Sequence, residues 1–404
     1  MIQFSSNFFW GSATSAYQVE GNNSNSDWWP WEKKVGKESS SQACRHYELY
    51  EADFDLAKSL NHNAHRLSIE WARIEPQQGE FSKKEMQHYI DVIMALRKRG
   101  IEPMVTLHHF TNPIWFAQLG GWEHSKATEL FTKYCDYVVQ ALSKHVHYWM
   151  TINEPTIFSS HAYIFGFWPP QGKSVFRAKK VQDNLVWAHI KTYKLIHKIY
   201  KEYNLTRPSV GLAHHIPDII ACTNTLRNRL AVHLRDWCFN FSLLDSMMRH
   251  QALDFIGLNY YSRQLVETKS WWIGNLLGDV CQKNHHPVKK NSLGWDIYPK
   301  GLCNVLLKLK RYHLPVIITE NGICTADDDL RWEFICEHLK SVDQAIKEGV
   351  DVRGYLYWSL LDNFEWDKGF GPRFGLIDMN YTTHQRTIKQ SAIKFAEVCK
   401  TGQL

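Results

Sequence analysis

The sequence predicts an α/β protein built as one (β/α)8 barrel of the TIM type over residues 1–404. Short apolar runs alternate with segments of helical period, eight strand-helix units in all, as expected of parallel strands covered on both faces. Several runs end abruptly in a polar or charged residue, and in such barrels the site lies beyond the carboxyl ends of the strands. No linker, repeat or low-complexity stretch divides the chain, so a length that by itself suggests two or three domains is read as one.

In order, Ala13–Gly21 reads as a first strand and loop with Gln18 and Glu20 at its polar end. Residues 42–60 carry Tyr47, Tyr50, Phe54, Ala57 and Leu60 at helical spacing, and Asn63–Trp71 follows as a strand. Arg66 falls inside that strand, where arginine is tolerated when paired, so a buried carboxylate is expected opposite it. A helix over 83–99, ended by Gly100, leads to the strand Glu102–Phe110. Its His108-His109 pair invites a metal reading, but adjacent strand residues face opposite ways, so one histidine is expected in the site and no metal.

A helix over 125–144 precedes the strand Tyr148–Pro155, which stops at Glu154. Helix 177–203, a short strand Ser209–Ala213 and helix 225–248 lead to the sixth strand, Asp254–Tyr261. Helix 300–311 precedes Pro315–Gly322, four apolar or β-branched residues bounded by Pro and Asn-Gly, a buried strand that delivers Glu320. A strand-end glutamate that caps the next turn is the plain alternative. Helix 328–347 and the eighth strand, Val352–Trp358, complete the series.

The charge of +6 is dispersed over the chain, which argues against a nucleic-acid partner. Aromatics make up 14% with 17 Trp, whose faces suit stacking on sugars or other flat apolar surfaces. Nine cysteines without CxxC or metal-type spacing read as reduced, buried thiols of a cytosolic protein. The N-terminus has no signal-peptide pattern and no apolar run reaches about 18 residues, so a cytoplasmic protein without a transmembrane segment is expected.

Five ordered motifs together resemble glycoside hydrolase family 1, the retaining β-glucosidases and β-galactosidases. They are Phe9-Trp10-Gly11 with Ala13 to Gly21, Thr151-Ile152-Asn153-Glu154-Pro155, Asn259-Tyr260-Tyr261, Ile318-Thr319-Glu320-Asn321-Gly322, and Trp358 through Trp366. The resemblance covers nearly the whole chain. It implies Glu320 as nucleophile and Glu154 as acid and then base, with carboxyls roughly 5 to 5.5 Å apart for retention. Arg66 and Tyr261 would keep Glu320 ionised, while Glu154, facing that charge, would hold its proton.

By the same resemblance Gln18, His109, Asn153, Asn259, Glu365 and Trp366 would grip the glycone, Trp358 would floor it, and Trp295 would be an aglycone platform. Each of several has a plainer reading: His109 a satisfied core histidine, Gln18 a loop cap, Trp358 core, Trp295 a loop anchor. No cofactor is implied, because two carboxylates do all the proton and covalent work. The substrate would be a small β-glycoside with an unphosphorylated glycone, since Glu365-Trp366-Asp367-Lys368 retains a carboxylate where phosphate-binding relatives carry a Ser, Lys and Tyr set.

Two departures from the family stand out. The stretch between Glu154 and Tyr261 is short, with Asn240 to Asp245 running almost directly into the sixth strand. The apolar Ser270-Trp271-Trp272-Ile273-Gly274-Asn275-Leu276-Leu277 could be core, an apolar aglycone wall or a lipid-facing patch. A weakly catalytic sugar-binding or interaction protein on the same barrel is the second class of function.

Overall fold

A computed structural model describes residues 2–268, 276–281 and 287–404. Its strands are β1 (Phe9–Ala13), β2 (Ala64–Ser68), β3 (Glu102–His108), β4 (Tyr148–Asn153), β5 (Ser209–His215), β6 (Asp218–Ala221), β7 (Ile256–Asn259), β8 (Arg263–Glu267), β9 (Asp279–Val280), β10 (Val316–Asn321), β11 (Val352–Trp358), β12 (Ile377–Met379) and β13 (Arg386–Ile388). Eight of them close into a parallel barrel in the order β1-β2-β3-β4-β5-β7-β10-β11. Every residue of β10 is buried, because helices cover its outer face and the barrel fills its inner one.

Inside the barrel, Ala64, Met104, Met150, Phe255, Ile317 and Leu356 form a separate apolar cluster. This layer plugs the bottom, so inward side chains farther along the strands stand above it. Strict alternation from Ile317 would turn Thr319 inward and Glu320 outward. The β7–β10 register shifts between Ile318 and Glu320, and the β4–β5 register between Met150 and Asn153. Such irregularities re-aim the side chains that follow them, at the two strand ends that carry the acids. After Glu320 the chain passes hard against β11, where a Cβ on Gly322 would lie 1.9 Å from the Trp358 carbonyl oxygen.

The expected helices form, with local stops. Asp327 caps Asp328–Lys347 by accepting from the Asp329 and Leu330 amides, and Ser82 caps Lys83–Lys98 through the Glu85 amide. Some boundaries differ from expectation. Phe9–Ala13 is the first strand and Ala16–Val19 a helical turn, while Trp71 begins another short helix. The helix expected over 225–248 is divided into Leu226–Asp236, a π-helical turn Trp237–Phe241, and Ser242–Arg249. The small sheet β6-β8-β9 and the hairpin β12-β13 add to the expected elements, their strands being too short for periodicity to mark them; the helix Gln390–Thr401, with Ala392, Phe395, Ala396 and Cys399 buried at helical spacing, follows β11 as the last helix of the barrel series.

The small sheet corrects the reading of the cysteines. Cys222 and Cys281 are disulfide-bonded across 59 residues of sequence. Cys222 N–H donates to the Val266 carbonyl and Cys281 N–H to the Leu265 carbonyl, so β8 holds the two residues on its opposite flanks. No spacing rule reaches across such a pairing. Seven cysteines are free, and of these Cys238 and Cys336 are only half-buried. A structural disulfide also withdraws the cysteine argument for a reducing compartment. Glu267 lies with both sulfurs within 4.8 Å, but sulfurs bonded to each other have no thiolate to offer a metal.

Of the apolar stretch at 270–277, Ser270 to Asn275 lie outside the described residues; Leu276 and Leu277 are half-buried. Among the described residues no helix is long and apolar enough to cross a membrane.

Candidate active site

A cavity of about 620 Å³ opens at the carboxyl ends of the barrel strands. Its lining includes Gln18, His109, Asn153, Glu154, Tyr261, Trp295, Glu320, Trp358, Glu365 and Trp366. Arg66 and Asn259 are not on the lining. Both are fully buried beneath it, so Asn259 reaches the cavity through other side chains rather than by presenting its own.

Arg66 organises the floor. Its Nε donates to Thr106 Oγ1 at 3.0 Å, Nη2 to Asn153 Oδ1 at 2.6 Å, and Nη1 to Glu320 Oε1. The buried carboxylate expected for Arg66 is therefore Glu320, brought from β10, three strands away around the barrel. The other oxygen of Glu320 accepts from Tyr261 Oη at 2.6 Å. Glu154 has a poorer set of donors: Asn259 Nδ2 reaches its Oε1 at 2.7 Å, and Asn259 is itself fixed by Thr319 Oγ1 at 2.7 Å.

Burial raises both carboxyls above the ordinary carboxylate range. For Glu320 burial outweighs Arg66 and Tyr261, which both lower it, and the Glu154 charge adds to the burial. A single proton shared by the pair goes first to Glu154, because Glu320 retains a guanidinium and a phenol as donors. Glu365 is pushed higher, to about 8, first by burial and then by the charge of Glu320.

The remaining contacts form a continuous polar wall. Asn153 Nδ2 meets His109 Nε2 at 3.1 Å, and burial drives His109 well below the usual range, leaving a neutral ring. His108 turns the other way, to Asn112 at 3.1 Å and the Trp122 indole N–H at 3.3 Å, as adjacent strand residues must. Gln18 accepts from Ser15 Oγ and donates to Asn363 Oδ1 at 2.9 Å, the Phe364 carbonyl at 2.8 Å and Glu365 Oε2 at 3.3 Å. The Trp358 and Trp366 rings both lie nearly parallel to His109, at 6.1 and 6.0 Å. Trp295 leans on Tyr261 at 5.8 Å and Phe374 at 6.1 Å.

Three lining residues that are not glycine hold left-handed backbone: Phe110 (φ 72°), Glu154 (φ 44°) and Trp366 (φ 53°). Each such conformation costs on the order of 1–3 kcal/mol and persists where the surroundings over-determine it. Here it sets the direction of an acid and two aromatic walls.

Sequence reasoning missed His215, His161, Phe167 and Trp168, all on the lining. The rule that found Glu154 and Glu320 would have found His215 too, since β5 runs on to it rather than stopping at Ala213. The histidine pair masked the strand's end by breaking its apolar run.

The family model for glycosyl hydrolase family 1 matches residues 1–240 and 222–403. Beta-glucosidase A of Acetivibrio thermocellus is 30% identical over 451 aligned positions, covering 99% of each chain. A 6-phospho-beta-galactosidase of Clostridium acetobutylicum is 28% identical, over 98% of this chain and 97% of its own. Among solved structures, a beta-glycosidase from Pyrococcus horikoshii superposes with a TM-score of 0.93 at 39% identity, covering 99% of this chain and 95% of its own.

Proposed function

Because the chain belongs to glycosyl hydrolase family 1, we propose that it is a retaining β-glycosidase that removes the terminal non-reducing β-D-glucosyl residue of small glycosides, with galactosyl and fucosyl as further glycones. One observation carries the assignment of roles: the two cavity carboxyls have unlike partners, a cation and a phenol for Glu320, an amide for Glu154.

In the first step a Glu320 oxygen attacks the anomeric carbon as the bond to the leaving oxygen breaks, and Glu154 gives that oxygen its proton. The ester formed has no charge, so the field that favoured a protonated Glu154 falls. Glu154, now a carboxylate, takes a proton from water, whose oxygen attacks the same carbon and displaces Glu320. Asn153, held by Arg66 and His109, stands beside the acid for the 2-hydroxyl, whose hydrogen bond strengthens in the transition state.

The glycone is unphosphorylated in this reading. Glu365 offers a phosphate repulsion when ionised and no countercharge when protonated, and the nearby Lys368 ammonium is engaged by Asp367 at 3.2 Å. Both acids are retained, which speaks against a mere sugar-binding role.

The test is a panel of nitrophenyl β-glycosides with wild type, Glu154→Ala and Glu320→Gly. Both variants lose turnover, and azide restores it, giving an α-azide with Glu320→Gly and a β-azide with Glu154→Ala. The opposite stereochemistry, full activity without Glu320, or faster turnover of a phospho-glycoside would overturn the reading.

A further inference from the structure

His215 ends β5 and sits in register with Asn259 of β7. Its neighbour His214 turns outward, with Nε2 3.0 Å from the Asn240 carbonyl oxygen, so His215 turns into the cavity. There its Nδ1 lies 4.0 Å from Glu154 Oε1, and its side chain retains 20% exposure. The same oxygen accepts from Asn259. A separation of this size is about 1 Å beyond a hydrogen bond, a gap that a small side-chain rotation closes.

The titratable groups around the ring are Glu154 just beyond β4, His161 from the helix Pro155–Tyr163, His214 beside it in β5, and Tyr261 just beyond β7, whose ring is 6.0 Å away. None of them supplies a cation at neutral pH: burial pushes His161 and His214 to about 4. It does the same to His215. The ring is therefore neutral, with one N–H and one lone pair to offer.

We propose that His215 is a positioning residue for Glu154, donating from Nδ1–H to Oε1 when Glu154 is a carboxylate and releasing it when Glu154 carries the proton. This rests on the acid/base role proposed for Glu154. The bond is charge-assisted only to the ionised form, so it serves the second half of the cycle, in which Glu154 must be ionised and aimed at the incoming water. Asn259 holds Glu154 through both halves; His215 distinguishes them.

The experiment uses the whole enzyme and dinitrophenyl β-glucoside, whose leaving group needs no proton, so that hydrolysis of the glycosyl-enzyme limits kcat. His215→Ala lowers kcat roughly tenfold, the worth of one hydrogen bond to a charged group. It lowers KM in step, leaving kcat/KM within about twofold. Azide, which needs no base, restores kcat, and His215→Asn, which keeps an N–H donor, retains most of it. Equal losses in kcat and kcat/KM, a loss that azide does not repair, or no loss at all overturns the proposal. If the alanine variant does not fold, His215→Leu against His215→Asn carries the same comparison. Failure of the Glu154 reading is separately visible, since Glu154→Ala with His215 intact then yields no β-azide.

Discussion

Arg66 Nη1 and Glu320 Oε1 are paired in the buried floor of the barrel although 254 residues separate them in sequence. The pair is surrounded by its own donors and acceptors: Thr106 and Asn153 take the other guanidinium nitrogens, and Tyr261 takes the second carboxylate oxygen. A buried ion pair holds its charges only when its remaining hydrogen-bonding capacity is filled in this way. Burial opposes a charge on Glu320, and the Arg66 cation is the largest influence working the other way.

Arg66→Met removes the cation and leaves the carboxylate. Glu320 then holds its proton to higher pH, because Arg66 is the largest influence lowering it. The acid limb of the kcat/KM profile moves upward, and kcat/KM at neutral pH falls by about 10²–10³, the range for losing one fixed charge-stabilising group. A variant within about threefold of wild type at neutral pH would show that Glu320 does not depend on this partner.

Asn259→Ala acts on the other acid. The Asn259 amide lowers Glu154 by favouring its carboxylate, so without it Glu154 deprotonates at higher pH. The basic limb of kcat/KM shifts up by about one pH unit, corresponding to about 1.4 kcal/mol. A profile with an unmoved basic limb and a merely lower plateau would assign Asn259 to packing alone.

Glu365→Gln changes stability with a definite sign. In the folded protein Glu365 titrates near 8, whereas in the unfolded chain it titrates at about 4.3. Between those values the unfolded state has lost a proton that the native state keeps, so this group makes stability fall as pH rises. The glutamine variant therefore melts with wild type near pH 4 and above it at pH 8.5. Because the carboxyl keeps some contact with cavity water, the gain is on the order of 2 kcal/mol rather than the full shift. Calorimetry at the two pH values checks it; a gain that is larger in acid than in base contradicts the assignment.

Thiol titration in denaturant addresses the small sheet. Seven thiols are expected without reductant and nine with it. Reduction, or Cys222→Ser with Cys281→Ser, costs about 2–4 kcal/mol for a loop of this length. The loss is seen first as protease cleavage near β9, which lines the cavity mouth. Nine thiols in both conditions would remove the bond.

The barrel, the two acids at strand ends, and the need of Arg66 for a buried partner are legible in the residues themselves. These are readable because period, strand-end chemistry and the cost of an unpaired buried charge are properties of a few adjacent residues. Pairing is not. That Glu320 is the partner of Arg66, that Asn259 works from beneath the cavity, and that His215 faces Glu154 were decided by barrel closure and by the register shifts in β4 and β10, and that Cys222 meets Cys281 by the pairing of the small sheet around β8. The proton affinities belong to the same class. Burial raises both acids, and burial is a property of what surrounds a carboxyl in space, which no neighbour in the chain announces.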